Sequence, residues 1–309
     1  MLKTIMFHQF NSKEFYNCKG SITKNQFYDL CLKLSKEFEI IGPNEIGEKL
    51  NKKSVLLTFD DGLKSQLVNV FDILKIFNIK VIFFIFSSIF SKNTNLLEVY
   101  KYFSNTYFSN IDDFYEKYFK TVFKSQSEIS NIIDNYGQQI KIMKRQSPFY
   151  SLNDIIYRLL RFEILSESDF DKSHNYLIKK VSKESIDSLK KRLYMDEHDL
   201  AKILKYGNDI GNHSHSHSYN LHSKSFKEQY SDYKKNNDYL ENISNKKIDF
   251  CAFPFGKYNN STLSVMNKLK FKNYFAANHI DENNDPKILK RYDHSLLISN
   301  NNIDLSLLK

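Results

Sequence analysis

The chain has 309 residues, 41% of them hydrophobic and 15% aromatic, which is enough core material for one large α/β domain or two smaller ones without covalent staples. Lysine and arginine exceed aspartate and glutamate by nine, so the surface field favours anionic partners; with no zinc-finger or RNA-binding aromatic signature, nucleic acid is not expected among them. Cys18, Cys31 and Cys251 lie far apart with no CxxC pair, which argues against a disulfide framework and against a cysteine zinc site.

In chain order, residues 2–8 are a short apolar strand candidate ending at His8. The N-terminus MLKTIMFHQFNSKEF turns polar too soon for a signal peptide, so a cytoplasmic protein is expected, with the inner face of the membrane as a further expectation. Phe27, Leu30, Leu34 and Phe38 are spaced as the apolar face of a helix over 24–38. SVLLTF at 54–59 predicts a strand closed by Asp60, Asp61 and Gly62, followed by a helix over 63–77 and the strand KVIFFIF at 80–86. This is a βαβ unit with both aspartates just past the first strand's C-terminal end, where α/β folds build active sites. The most apolar stretch, residues 81–90, is too short to cross a bilayer as a helix.

From 91 to 194 the pattern becomes helical, rich in tyrosine, phenylalanine and lysine, and we expect a helical insertion between two barrel segments, 1–90 and 195–309. Its aromatics, from Tyr100 to Phe119, have a spacing that suits helices buried against the barrel; a sharper reading has them walling the cleft at a membrane surface with lysines toward anionic headgroups. Alternation resumes with a helix over 199–206 capped by Gly207, the strand NDIGNHS, a helix over 226–243, the strand KIDFCAFPFG at 247–256, a helix near 262–269, and strands at 273–278 and 289–298.

Adjacent carboxylates at a strand end point in different directions, so one of Asp60 and Asp61 can bind a cation while the other faces substrate. Alone, Asp60-Asp61-Gly62 also reads as an ordinary turn. GNHSHSHS at 211–218 changes that weighing, because His213 and His217 can approach one ion from a tight loop. Two histidines and Asp61 leave coordination positions open, as a catalytic metal needs. The bland alternative is an exposed histidine and serine loop.

TFDDG at 58–62, HSHSH at 213–217 and FPFG at 253–256, in this order and in these strand contexts, resemble the polysaccharide deacetylases, also called NodB-like or carbohydrate esterase family 4 proteins. The resemblance covers roughly 1–90 and 195–295. It implies an α/β fold, a distorted (β/α)7 barrel here carrying a helical insertion, and one divalent metal ion, zinc in many members, held by an Asp-His-His triad. Carried over by position, Asp61, His213 and His217 resemble the ligands and Asp60 the general base. Phe255, after Pro254, resembles the residue whose backbone N–H holds the oxyanion in the family's RxPY element. The arginine of that element, which orients the base, is Ala252 here, and Arg291 is a spatial substitute to look for. The chain also lacks the tryptophan usual near the cleft.

For the general acid, His8 at the end of the first strand is preferred over His294, since permuted members carry an apolar-strand histidine at the N-terminus. A packed or capping role is its alternative. His215 is expected to point away from the ion, and His174, His198, His222, His279 and His294 to be surface or structural. The expected activity is removal of an N-acetyl or N-formyl group from a nucleotide- or lipid-linked sugar in surface-polysaccharide biosynthesis. The alternatives are a hydrolase of a non-sugar amide and a metal-binding carbohydrate-binding protein that Ala252 has cost its catalysis.

Overall fold

The computed structural model describes residues 2–18, 20–48, 53–146, 150–278, 283–299 and 302–309. It divides into two compact units, 1–95 with 190–309, and 96–189.

The first unit is a closed barrel of seven parallel strands: β1 (Leu2–Phe7), β2 (Ser54–Asp60), β3 (Ile82–Ile85), β4 (Asp209–Asn212), β5 (Phe250–Ala252), β6 (Asn273–Ala276) and β7 (Ile288–Asp293). The ladder runs in chain order from β2 to β7, and β1 closes it by pairing with both, Leu2 to Phe7 opposite Ser54 to Phe59 and Thr4 to Met6 opposite Arg291 to Asp293. The ring is uneven: a two-residue strand, Glu39–Ile40, lies beside the first half of β2, and β3 pairs with its second half.

Period-two alternation decides which side chains enter the barrel. Leu56, Ile82, Phe84, Phe250, Ala252 and Phe275 form its apolar core, with Leu2 and Leu289 packed against it. Residues two and four further along the same strands, Thr58, Asp60 and Arg291, share that inward face at the C-terminal mouth. The intervening residues face outward, where Phe7, Phe59 and Phe83 stack at 5.0–5.1 Å and Phe27 of helix α1 (Lys24–Glu37) meets Phe7 and Phe59 edge-on. Gly211 in β4 is required by the core, because a Cβ there would sit 2.5 Å from the Phe84 ring.

Helix α2 (Lys64–Ile76) follows β2 as the spacing predicts, and the FPFG strand proves shorter than expected: β5 ends at Ala252, and Pro254–Gly256 is a tight 3-10 turn with Phe255 at φ 55°. The proline ends the ladder because it has no N–H to give.

The second unit contains α3 (Leu97–Thr106), α4 (Ile111–Val122), α5 (Gln126–Asn135), α6 (Gly137–Gln146), α7 (Leu152–Leu159) and α8 (Glu167–Val181). Asn110, Ser151 and Ser166 cap α4, α7 and α8 by accepting the N3 amide. Its aromatics pack on one another: Tyr100, Phe114, Tyr118, Tyr157 and Phe170 surround the fully buried His174, with the Tyr100 and Phe170 rings at 4.1 and 4.3 Å. Among the described residues, no helix is long and apolar enough to cross a membrane.

Candidate active site

β2 delivers two carboxylates to the barrel mouth in different directions. Asp60 continues the inward face, while Asp61 turns to φ 75° and leaves the strand. His213 and His217 come from the loop after β4, with their Nε2 atoms 3.5 and 3.2 Å from Asp61 Oδ1. That oxygen is buried and has no hydrogen-bond donor. Nδ1 of His213 donates to the Ala252 carbonyl at 2.9 Å, which fixes the tautomer and turns the Nε2 lone pair toward Asp61. Donor atoms of Asp61, His213 and His217 lie within 4.8 Å of one another. An orphaned buried carboxylate oxygen facing two imidazole nitrogens fits a divalent cation and leaves room for further ligands.

The loop is held open by side chains. Asn212 Oδ1 accepts from the Ser214 amide at 2.8 Å, Ser214 Oγ from the His217 amide at 2.9 Å, and Asp232 Oδ1 from the amides of His215 and Ser216 at 2.7 and 3.2 Å. Ser214 and His217 are thereby kept at φ 61° and 49°. Of seven non-glycine residues with positive φ among those described, Asp61, Ser214, His217 and Phe255 line this mouth, so backbone strain is concentrated where the chemistry would be. His215 is outside the ligand set, its Nδ1 hydrogen-bonded to Ser87 Oγ at 2.8 Å.

Arg291 is fully buried and clamps Asp60 with both prongs, Nη1 to Oδ1 at 2.6 Å and Nη2 to Oδ2 at 2.8 Å. Its Nε donates to the Ala276 carbonyl at 3.2 Å and Nη1 also to Thr58 Oγ1 at 3.2 Å, so the guanidinium has fixed partners on β2 and β6. Ala252 leaves the position of the motif arginine without a charge, and β7 brings one from another strand. Burial pushes the Asp60 carboxyl up, but Arg291, His213 and His8 more than reverse this and hold it below the usual carboxylate range. Burial likewise raises Asp61, and His217 and His213 reverse it. For His213, burial favours the neutral ring, and the two aspartates outweigh it to raise the pKa.

His8 lies one residue past β1, half-exposed, with Nε2 3.7 Å from Asp60 Oδ2. Gln66, from the first turn of α2, donates to the carbonyls of both His8 and Asp60, at 3.0 and 2.6 Å, and ties the ends of β1 and β2 together. Pro254 and Phe255 form the lip of the mouth, the Phe255 ring 4.8 Å from that of His217. The structure thus brings together Asp60, Asp61, His8, His213, His217, Phe255 and Arg291. His294 is buried and stacks on Phe7 at 5.2 Å, His174 is in the second unit, His198 is exposed, His222 is half-buried, and His279 falls outside the described residues. Thr58, Gln66, Asn212 and Asp232 were not singled out from the sequence. Only Thr58 carried a signal, two residues before Asp60 on the same face.

The polysaccharide deacetylase family model matches residues 47–140 and 163–274, more than half of the chain. Similar solved structures include the Streptococcus pyogenes deacetylase PplD in complex with acetate, 16% identical over 94% of this chain and 91% of that one with a TM-score of 0.55. Others are IcaB from Ammonifex degensii, 13% identical over 94% and 91% at 0.55, and the BpsB deacetylase domain from Bordetella bronchiseptica, 14% identical over 94% of each at 0.51. No curated protein matches the sequence. The closed parallel ring of seven strands with its surrounding helices is a NodB-type (β/α)7 barrel. The chain belongs to the polysaccharide deacetylase family, hydrolases of the amide bond of N-acylated sugars that generally use a divalent metal ion.

Proposed function

We propose that this chain is a metal-dependent N-deacylase that removes an acetyl or formyl group from a sugar amine during surface-polysaccharide assembly. The observation that carries this reading is the buried, donor-less Oδ1 of Asp61 between His213 and His217, beside a second carboxylate held by Arg291. Asp61, His213 and His217 would hold the cation, with zinc the metal expected of this donor set. A divalent cation there would acidify the attacking water and polarise the acyl carbonyl. Asp60 takes the proton from that water, its plane fixed by the Arg291 fork. The Phe255 backbone N–H, on the turn after Pro254, faces the oxygen that gains charge. As the C–N bond breaks, His8 hands a proton to the leaving amine, and acid and free amine depart. Acetate in the PplD structure is the product that N-deacetylation would leave, which supports acetyl over formyl.

Ala252 favours a second reading, a sugar-binding protein without catalysis; the Arg291 clamp argues against it by giving the base another support. Metal analysis coupled to acetate and formate release separates the readings. Asp60→Asn, with the fold checked by circular dichroism, is expected to lose roughly 10²–10⁴-fold in turnover. An active wild type with an unimpaired Asp60→Asn variant would remove the mechanism, and a protein that takes up no divalent ion on reconstitution would remove the ligand set. Turnover of small linear or cyclic amides but of no acylated sugar would reassign the substrate.

Cytoplasmic action on a nucleotide- or lipid-linked sugar is part of the same proposal, supported by three free cysteines, two of them buried. Peripheral membrane contact is supported by a groove of about 780 Å³ on α4 and α8, where Lys117, Lys120, Lys172 and Lys180 surround Leu165, Leu177 and Val181. Flotation of the whole protein with anionic, but not zwitterionic, vesicles tests it.

A further inference from the structure

Two rings lead outward from the proposed metal site. The Phe255 ring lies 4.8 Å from His217, and Tyr219 meets Phe255 edge-on at 5.3 Å. The ammonium of Lys257 sits 3.4 Å from the centre of the Tyr219 ring. All three side chains are half-buried. They come from the loops that follow β4 and β5, on the mouth side of the barrel.

The position of Lys257 is built rather than incidental. Gly256 N and Lys257 N donate to Phe253 O and Pro254 O at 2.9 and 3.1 Å, closing the turn. Gly256 is at φ 68°, and a Cβ there would come 2.7 Å from the Ala277 Cβ, so the backbone is pressed against the end of β6. On the far side, Tyr258 stacks on Phe253 at 4.5 Å. The lysine therefore leaves a rigid turn with its cation on an aromatic face, and among the described residues no carboxylate pairs with it. A cation–π contact occupies one side of an ammonium and leaves N–H donors for an anion. Aromatic faces beside it suit the C–H face of a sugar ring.

We propose that Phe255, Tyr219 and Lys257 form an anion-reading subsite two rings out from the metal ligand His217, so that the preferred substrate carries a phosphate or carboxylate beside the sugar that is deacylated. This rests on the deacylase reading. Phosphate and carboxylate share the chemistry of a compact oxyanion accepting charge-assisted hydrogen bonds, and the substrates of the test tell them apart.

The test compares three matched oligosaccharides containing N-acetylglucosamine: neutral, bearing a phosphate on the neighbouring residue, and bearing a uronic acid there. Acetate release and binding by calorimetry are both measured with the metal-loaded whole protein. The wild type should favour one or both anionic substrates in kcat/KM by roughly tenfold, chiefly through KM, with the advantage shrinking as salt rises. Lys257→Met should bring the anionic-to-neutral ratio close to one, Lys257→Arg should restore most of it, and Tyr219→Leu should reduce it. Equal turnover of all three by the wild type, or a Lys257→Met variant that keeps the wild-type ratio, overturns the subsite and leaves the deacylase standing. Lys257-dependent binding of an anionic oligosaccharide without acetate release supports the subsite and removes the deacylase reading. Neither binding preference nor release removes both.

Discussion

The barrel mouth and the core of the helical unit each bury titratable side chains, and they treat them in opposite ways. In the helical unit every polar atom of His174 is answered from within: Nδ1 donates to the Phe170 carbonyl and Nε2 accepts from Tyr157 Oη, both at 2.9 Å. Burial accordingly pushes its pKa down to about 3, and the ring behaves as one more aromatic among Tyr100, Tyr118 and Phe170. At the mouth, Asp60 is charged and clamped, while Asp61 keeps an oxygen with no donor. A buried polar group whose partners are complete belongs to the fold; one left incomplete by a strained loop marks a place for a ligand.

That contrast can be broken by substitution. The largest effect should come from Arg291→Met, which strands a buried carboxylate: about 3–5 kcal/mol of stability is lost, read by urea denaturation. A loss below about 1 kcal/mol would mean that water already reaches Asp60. For His174 the unfolded chain binds a proton below its ordinary pKa and the native ring does not. Stability is therefore full above about pH 6.5 and falls as pH drops toward 3, by on the order of 4 kcal/mol, a slope that His174→Phe should flatten. If the variant keeps the slope, another group in the unit carries it. Divalent metal should raise the stability of the apo protein by about 2.7 kcal/mol at a concentration of about 100 times Kd, and His217→Ala should abolish this in a thermal scan. Smallest is Gly256→Ala, expected to cost roughly 1–2 kcal/mol through its left-handed φ and the contact with Ala277. A neutral result there would mean that the turn can shift.

The barrel and most of the mouth were legible because period-two alternation and strand-end position are local signals. Leu56, Thr58 and Asp60 alternate inward, and the HSHSH loop follows a strand as the motif order requires. What the sequence could not place was anything fixed by ring closure. Arg291 could be named as a substitute for the arginine absent at Ala252, yet its contact with Asp60 depends on β7 and β2 both flanking β1. The shaping of the histidine loop by Asp232, sixteen and seventeen residues on from the amides it holds and in helix α9 (Phe226–Ser244), has no local pattern at all. The expected strand at 247–256 failed at its C-terminal half because Pro254 and Gly256 outweighed the apolar run around them. In the helical unit, aromatic spacing predicted helices but not the packing of their rings on one another around His174.

The Asp60–Arg291 clamp joins residues 231 positions apart. A chain leaving the ribosome makes Asp60 long before its partner, and β1, made before the other strands of the ring, cannot complete its pairing until β7 arrives. The proposed base is thus assembled by the same event that shuts the ring, and contacts this distant in sequence form slowly. Hydrolytic competence would then be a report on completed folding: a truncated or half-made chain carries the aspartates and histidines but lacks the arginine that holds the base in place.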